Sequence, residues 1–241
     1  MPSSKAIVLS REPFGESDLY VQFLTRDWGM LTVLAKAGRK SKRRYIGGLD
    51  LFCHDEIFIK GQPRDGIYLQ ELTVLNSFTS LRDNLDRLQV AGRAVQWIKR
   101  LANVSTPLPH VYSLLGQTLS LVEKETNSTR MEVLFFVFKM KLVDMLGIRP
   151  EVESCAKCHG TFEGAVNFDF SSGGVLCRVC APVSREEHRL LDAADRTELT
   201  RAFDLRLTDF SQTNFSEGRS LSLSRLITQF ASFHTQVRLP V

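Results

Sequence analysis

Short apolar runs, separated by polar turns, fill the first third of the chain. The runs are rich in Val, Ile, Leu and Phe, as β-strands are. Turn signals containing Gly and Pro separate them, so we expect a small barrel or sandwich within a first domain of residues 1–79. The five predicted strands are Lys5–Leu9, Asp18–Thr25, Met30–Ala35, Leu51–Lys60 and Tyr68–Leu75.

From Ser80 onward the apolar positions recur with the period of an α-helix. The first helix has an apolar face made of Leu81, Leu85, Leu88, Val95 and Ile98. Further helices are predicted over Val111–Glu123, Met131–Leu146, Asp195–Ala202 and Leu226–Gln236. The segment 131–146 is the most apolar, so we expect it at the centre of a helical bundle. The capping-box pattern Ser184-Arg-Glu-Glu187 predicts the start of one more helix.

A separate segment, residues 151–183, is predicted to interrupt the helical domain, which would comprise residues 80–150 and 184–241. This segment contains two CxxC pairs with eighteen residues between them. The spacing is typical of a four-cysteine zinc site, because a tetrahedral Zn²⁺ ion prefers thiolate ligands. The predicted metal ligands are Cys155, Cys158, Cys177 and Cys180.

We expect a β-hairpin to bring the two pairs together, with strands at Phe168–Phe170 and Val175–Leu176 around the turn Ser171–Gly174. Four cysteines close the coordination shell and leave no position for a catalytic water, so the single predicted ion is structural. The alternatives are a pair of disulfides and a redox-active CxxC. A redox motif needs only one pair, and disulfides are rare in cytosolic proteins. His159 is an alternative ligand, since it directly follows Cys158.

A cluster of cations follows the third predicted strand. Six basic residues occur within nine positions, and no acidic residue occurs between Asp27 and Asp50. Burying six unpaired cations would be prohibitively costly, so we expect an exposed basic loop that suits a phosphate backbone. The alternative is a merely solvated loop. The predicted DNA-binding residues are Lys36, Arg39, Lys40, Lys42, Arg43 and Arg44.

Two further features could extend a nucleic-acid surface. Tyr45 and Trp28 are candidates for base stacking, although a position in the core or at its rim is the more usual one for an aromatic residue. The first predicted helix also has an arginine stripe, for which a solvated face is the more usual explanation. The stripe consists of Arg82, Arg93 and Arg100.

The composition is that of a globular protein. The 241 residues carry a net charge of +4 and 43% hydrophobic residues, as in ordinary globular proteins. No signal peptide is recognisable at the N-terminus, and the longest apolar run, Val133–Phe138, is too short to span a bilayer. We therefore expect a cytoplasmic protein without membrane association. Cys53 stands alone in an apolar stretch and is predicted to be a buried strand residue.

No catalytic motif is recognisable. The chain lacks a phosphate-binding GxxxxGK[ST] loop, a GxSxG elbow and an HExxH pair, and its five histidines are scattered. A protein that is not an enzyme is therefore favoured over a nuclease or another metal-dependent enzyme.

Three stretches of the N-terminal third carry a family resemblance, namely Val8–Leu19, Leu24–Val33 and Ala35–Lys40. They resemble the RecO family of bacterial recombination-mediator and DNA-repair proteins. The resemblance extends in order through the zinc segment to the C-terminal helix. The family usually has Lys-Gly-Ala-Arg in the basic loop, where this chain has Lys36-Ala-Gly-Arg39. The difference affects the geometry of the turn but not the charge.

The resemblance implies an α+β protein with an N-terminal OB-fold β-barrel followed by an α-helical bundle with an inserted zinc hairpin. It also implies a non-catalytic mediator that binds single- and double-stranded DNA, anneals complementary strands and helps to load the recombinase. The implied partners are the RecR ring protein, single-strand-binding protein and, through them, RecA, at the nucleoid. The alternative is a zinc-stabilised protein–protein adaptor in which the basic loop is incidental.

Overall fold

The computed structural model describes residues 2–41, 44–62, 66–102, 106–181 and 189–241. The chain forms two compact units, residues 1–126 and 127–241. The first unit therefore contains the barrel together with two helices. The four-part domain division expected from the sequence stays a prediction.

Five strands form a closed barrel in the order β1-β2-β3-β5-β4. All neighbouring strands are antiparallel except β3 and β5, which pair in parallel at Leu34 and Tyr68. This connectivity is that of an OB-like barrel, as expected. The strands are β1 (Ser3–Phe14), β2 (Asp18–Thr25), β3 (Gly29–Ala35), β4 (His54–Gln62) and β5 (Gly66–Asn76).

Alternating side chains fill the inside of the barrel, because successive residues of a strand point to opposite faces. Val21, Phe23 and Val33 are among the fully buried residues of this core. The fourth strand begins later than the sequence predicts. Phe52 has a φ of 72°, in the left-handed region, and its turn leads into β4 at His54. Cys53, immediately before β4, is fully buried, as expected.

The first unit continues with a 3-10 turn (Thr79–Leu81), helix α1 (Leu85–Leu101) and helix α2 (Pro109–Lys124). The predicted apolar face of the first helix is wrong at its start. Asn84 caps α1 by accepting a hydrogen bond from the backbone N–H of Arg87, so Leu85 lies in the first turn and is 67% exposed. Leu81 is buried, but it belongs to the preceding 3-10 turn.

Helix α2 packs against β1 and β2 of the barrel. The side chain of Ile7 approaches Gly116, where an added Cβ would lie 3.7 Å from the Ile7 Cδ1. His54 Nε2 and the Tyr112 hydroxyl are 2.5 Å apart and share a hydrogen bond. Burial lowers the pKa of His54, since it disfavours the charged imidazolium.

The second unit contains α3 (Ser128–Met145), α4 (Ala193–Asp204), a 3-10 helix (Leu207–Gln212) and α5 (Glu217–Thr235). As predicted, α3 is central: Val133–Phe138 is buried without interruption, and α3 packs against both α4 and α5. Within the described ranges, no helix is long and apolar enough to cross a membrane. The predicted capping box at 184–187 lies outside the described residues.

Between α3 and α4 lies a small antiparallel sheet in the order β7-β6-β8. Its strands are β6 (Val166–Asp169), β7 (Gly174–Leu176) and β8 (Arg189–Leu191). The hairpin of β6 and β7 confirms the β-hairpin predicted between the two CxxC pairs, although β6 begins two residues before the predicted strand. The sequence pattern did not predict β8.

Candidate metal centre and nucleic-acid interface

The four cysteines of the two CxxC pairs come together at the end of the β6–β7 hairpin. Their sulfur atoms all lie within 4.8 Å of one another, and the Sγ atoms of Cys158 and Cys177 are 3.8 Å apart. A tetrahedral ion with Zn–S bonds of about 2.3 Å has S–S edges of about 3.8 Å. All five cysteines of the chain are free, so the structure is not that of a disulfide pair. The donor set and spacing fit a tetrahedral metal ion.

Backbone hydrogen bonds shape each knuckle. The first closes where the N–H of His159 donates to the carbonyl of Cys155 at 2.8 Å, and the second where the N–H of Cys180 donates to the carbonyl of Cys177 at 3.0 Å. The N–H of Cys177 also points at the sulfur of Cys155, at 3.4 Å. Among the described residues, the group of clustered ligands consists of the four cysteines, and His159 is outside it.

The hairpin is held to the preceding chain at Gly174. Glu151 forms a parallel bridge with Gly174, and an added Cβ at Gly174 would lie 2.2 Å from the Glu151 carbonyl oxygen. Only glycine permits this approach. The contact fixes the segment that leads from residue 151 into the first knuckle.

The surroundings shift the pKa values of two of the thiols in opposite directions. Burial raises the pKa of Cys155, but backbone N–H donors of Cys177, Cys158 and Lys157 outweigh it and lower the pKa to about 6. Hydrogen bonds with the sulfurs of Cys177 and Cys158 raise the pKa of Cys180 to about 12. Four thiolates so close together repel each other, so a bound cation would be needed to deprotonate them all.

The basic loop leaves the barrel at the end of β3. The backbone N–H of Ala37 donates to Asp18 Oδ1 at 2.7 Å, and the N–H of Arg39 donates to the Ser17 carbonyl at 2.9 Å. The loop is thus attached to the β1–β2 turn. Gly38 lies close to β3, since an added Cβ would be 3.0 Å from the Ala35 carbonyl oxygen.

Four of the six predicted DNA-binding residues are described, namely Lys36, Arg39, Lys40 and Arg44, and all four are exposed. Lys42 and Arg43 lie outside the described residues. Within the described part of the chain, none of the four forms an ion pair with a carboxylate. By contrast, the neighbouring Arg11 binds Asp50 at 2.5 Å.

The contacts of these cations are with backbone carbonyls and aromatic rings. Arg44 donates to the Lys36 carbonyl at 2.8 Å, and Arg39 donates to the Glu16 carbonyl at 3.4 Å. The Lys36 ammonium lies 5.0 Å from the centre of the Tyr68 ring. Such contacts orient the side chains but leave their positive charge uncompensated.

Lys36 and Arg44 also line a groove of about 390 Å³ together with Lys60 and Tyr68. Neither Lys60 nor Tyr68 was predicted to be a DNA-binding residue. The signal was present in the alternation of β5, because the buried Leu69 turns Tyr68 to the outside. It could not show that β5 pairs with β3, which is what places Tyr68 beside Lys36.

Tyr45 is a core residue. It is 4% exposed, and its hydroxyl donates to the Leu69 carbonyl at 2.8 Å. Burial raises the pKa of this phenol. Trp28 is partly buried against the same core. Both therefore have the core or rim position that is usual for an aromatic residue.

Arg82 of the arginine stripe is a structural residue. Its guanidinium donates to the carbonyls of Leu51 at 2.7 Å and Ser77 at 2.9 Å. These bonds hold the turn before β4 against the end of β5. The guanidinium faces the protein, so Arg82 does not extend the basic loop into a track.

Comparison with known families covers the whole chain. Residues 1–81 match the family model "Recombination protein O N terminal", and residues 82–241 match "Recombination protein O C terminal". The chain belongs to the RecO family. This agrees with the OB-like barrel and with the resemblance found in the sequence.

Relatives support the same assignment. The chain is 31% identical to "DNA repair protein RecO" of Myxococcus xanthus over 182 residues, which are 75% of this chain and 73% of the relative. It is 26% identical to the protein of the same name from Lawsonia intracellularis over 236 residues, 95% of this chain and 92% of the relative. The corresponding protein of an Anaeromyxobacter species is 32% identical over 181 residues, with 74% and 70% covered.

Proposed function

We propose that this protein is a non-catalytic recombination mediator in DNA repair. In this proposal it binds single- and double-stranded DNA, anneals complementary strands and helps to load a recombinase onto DNA coated by single-strand-binding protein. The observation that carries the proposal is the basic loop, in which the four described cations are exposed and have no carboxylate partner within the described residues. Membership of the RecO family supports it.

The physical basis of binding is the exchange of counterions. Each lysine or arginine that meets a phosphate releases a condensed cation from the DNA, which makes the affinity fall with salt. If all six loop cations contact a single strand, the slope of log affinity against log salt is roughly −4. Contacts with phosphates do not depend on the base sequence of the DNA, which suits a mediator that acts on any DNA sequence.

Annealing follows from the same charges. Two complementary strands repel each other through their phosphates, and a dense group of cations reduces this repulsion while the base edges remain free to pair. The proposal therefore needs no catalytic group, and nuclease activity in the presence of magnesium would contradict it.

The four-cysteine cluster would hold one structural zinc ion. A set of four thiolates at tetrahedral spacing is typical of zinc, with an iron–sulfur cluster as the chemical alternative. Cys155, Cys158, Cys177 and Cys180 would supply every ligand. Bound there, the ion would tie the β6–β7 hairpin into a segment that has little apolar core of its own.

The proposed partners follow from the family. They are the RecR ring protein, single-strand-binding protein and, through these, RecA, and the proposed place of action is the nucleoid in the cytoplasm. The predicted DNA-binding surface comprises the whole loop, including Lys42 and Arg43.

The test is fluorescence anisotropy of a labelled oligonucleotide over a series of salt concentrations. We expect binding that weakens steeply with salt and that disappears when Arg39, Lys40, Arg43 and Arg44 are replaced by Glu. A matched control reverses four exposed cations elsewhere and changes the net charge equally; these are Arg26, Lys124, Arg206 and Arg225. If the loop variant still binds like the control, the loop is not the site.

A second assay measures strand annealing through the quenching of fluorescent labels on complementary strands. The loop variant should anneal strands more slowly than the control variant.

One observation favours the alternative, a zinc-stabilised adaptor. Val179, at the tip of the second knuckle, is 93% exposed, and Leu190 is 63% exposed. Both line a recess of about 570 Å³ beside Cys177. Apolar residues in so open a position suit contact with another protein. A binding signal that does not respond to salt would support the adaptor and contradict the mediator.

A further inference from the structure

A row of aromatic and apolar side chains crosses the outer face of the barrel. Tyr20 on β2 is the direct partner of Leu34 on β3, and Leu34 is in turn the partner of Tyr68 on β5. The ring of Phe14 extends the row at the other end, since its centre lies 4.7 Å from that of Tyr20. We call Phe14, Tyr20, Leu34 and Tyr68 the aromatic row.

The aromatic row faces the solvent. Phe14 is 46% and Tyr20 40% exposed, while Leu34 and Tyr68 are half-buried. The residues next to Tyr20 along β2, Leu19 and Val21, point inward and are buried. The barrel core is thus complete without Tyr20, and its exposed ring contributes little to core packing. Neighbouring strands lie about 4.8 Å apart, so Tyr20 and Tyr68, two strands apart, stand about 10 Å from each other as separate ring surfaces.

Cations flank one end of the aromatic row. Lys60 on β4 is the direct partner of Tyr68, and the Lys36 ammonium lies 5.0 Å above the Tyr68 ring. Arg44 lines the same groove. At the other end, Glu12 is the partner of Tyr20. The surface therefore combines the exposed rings of Phe14 and Tyr20 and the half-buried ring of Tyr68 with positive charge concentrated on the Tyr68 side.

Unpaired nucleotides have the complementary chemistry. Each combines a flat aromatic base with a negative phosphate, and bases stack on protein aromatics whatever their sequence. A purely apolar partner would leave the cations unmatched, and an acidic peptide would not require the ring faces. In a duplex the bases are stacked on each other, so their faces are not available to Tyr20 and Tyr68.

We propose that Tyr20 and Tyr68 are base-stacking residues for a single nucleic-acid strand whose phosphates contact Lys36, Lys60 and Arg44. This inference rests on the proposed function, since it assigns part of the same DNA surface, and it adds a source of preference for single strands. Phosphate contacts alone give no preference for a single strand over a duplex. The aromatic row contributes only when bases are unpaired.

The test compares two oligonucleotides of equal length, one normal and one in which the bases are replaced by abasic sites. The phosphates are the same in both, so wild-type protein should bind the normal strand more tightly, by roughly five- to a hundredfold for each stacked base. Replacing Tyr20 or Tyr68 by Ala should remove the part of this difference that comes from that ring, and the double replacement should remove most of it. Each replacement should leave abasic-strand affinity, duplex affinity and the salt slope unchanged. Tyr20→Phe and Tyr68→Phe should bind the normal strand like wild type, because they keep the ring.

Leu75→Ala is the matched control. Leu75 is 45% exposed and lies on β5, seven positions from Tyr68 and about 23 Å along the strand. It should bind both strands like wild type. Circular dichroism of every variant shows whether the barrel is folded.

The outcomes separate the two proposals. If wild type binds neither oligonucleotide, the proposed function fails and this inference fails with it. If wild type binds both equally well, DNA binding stands but base stacking is overturned, and this comparison needs no variant. If Tyr68→Ala weakens normal and abasic strands alike, the ring only positions Lys36, which also overturns stacking at Tyr68.

Discussion

Each unit of the molecule contains a fully buried ionisable side chain, and the two side chains differ in their hydrogen bonding. In the second unit, Lys139 is fully buried, and its ammonium donates to the Ser224 carbonyl at 2.9 Å and the Thr228 hydroxyl at 3.0 Å. In the barrel, Asp55 is also fully buried, but within the described residues neither of its oxygens forms a hydrogen bond. A buried polar group with partners helps to specify a packing arrangement, whereas one without partners costs stability.

The difference follows from the groups that lie within reach of each charge. Helix α5 offers the Lys139 ammonium a backbone carbonyl and a side-chain hydroxyl one turn apart. The described residues around Asp55 offer its oxygens no hydrogen-bond donor. Asp55 points into a space lined by Leu72 and by Gly48, where an added Cβ would lie 3.0 Å from its Oδ1 atom.

The largest effect is expected from loss of the proposed metal ion. Cys155→Ser combined with Cys177→Ser, or treatment with a strong chelator, should destabilise the second unit, since binding of structural zinc is worth roughly 10 kcal/mol or more in small zinc domains. Hydrogen exchange measured by mass spectrometry should show faster exchange in residues 151–181. Cys53→Ser is the control, because it replaces a cysteine outside the cluster. It should leave the metal content unchanged. Unaltered exchange after complete loss of metal would contradict the structural role.

The next largest effect should come from Asp55. Burial raises the pKa of this carboxyl to about 8 from an ordinary value of 3.8. At a pH between these two pKa values, the folded barrel keeps a proton on Asp55 that the unfolded chain has released. The contribution of Asp55 to the free energy of unfolding therefore falls as the pH rises from about 4 to about 8, and it is constant above pH 8. The loss attributable to Asp55 is of the order of 5 kcal/mol over this window.

Asp55→Asn removes the ionisable group and keeps its shape. We expect the variant to match wild type near pH 4 and to be more stable by several kcal/mol at pH 8, as measured by urea unfolding at both values. Asp83→Asn is the control, because Asp83 is exposed, and it should change stability by under about 0.5 kcal/mol at either pH. Equal pH dependence of wild type and Asp55→Asn would show that the buried carboxyl has a partner.

Local patterns in the sequence predicted most of the fold. The features that they did not predict depend on contacts between residues far apart in the chain. The CxxC spacing predicted the cysteine cluster because ligand geometry is a local property of each knuckle. The alternation in β4 places Asp55 at the same parity as the buried Ile57, so its inward position was readable. Its lack of a partner was not, since that depends on which groups the closed barrel brings near it.

The candidate DNA surface shows the same limit. The charge of the basic loop is a property of consecutive residues and was predictable. The aromatic row depends on the register of β2, β3 and β5, which the sequence does not state. Leu85 was misplaced for a related reason: one capping residue, Asn84, shifts the start of α1 and turns that side chain to the solvent.

The smallest of the three stability effects should come from Glu198, which tests whether partners make a buried charge useful. Glu198 is 5% exposed, and its Oε1 accepts hydrogen bonds from the Ser216 N–H and the Ser220 hydroxyl, both at 2.8 Å. It thereby caps the N-terminus of α5, where a negative charge also suits the helix dipole.

Glu198→Ala leaves those two donors without their acceptor, and we expect a loss of about 2–3 kcal/mol in the free energy of unfolding. Glu163→Ala removes an exposed carboxylate from the same unit and should cost under about 0.5 kcal/mol. Urea unfolding of both variants gives the comparison. If the two losses are equal, buried polar groups in the second unit are no better integrated than surface ones. The contrast between Lys139 and Asp55 would then not extend to a second buried charge with hydrogen-bond partners.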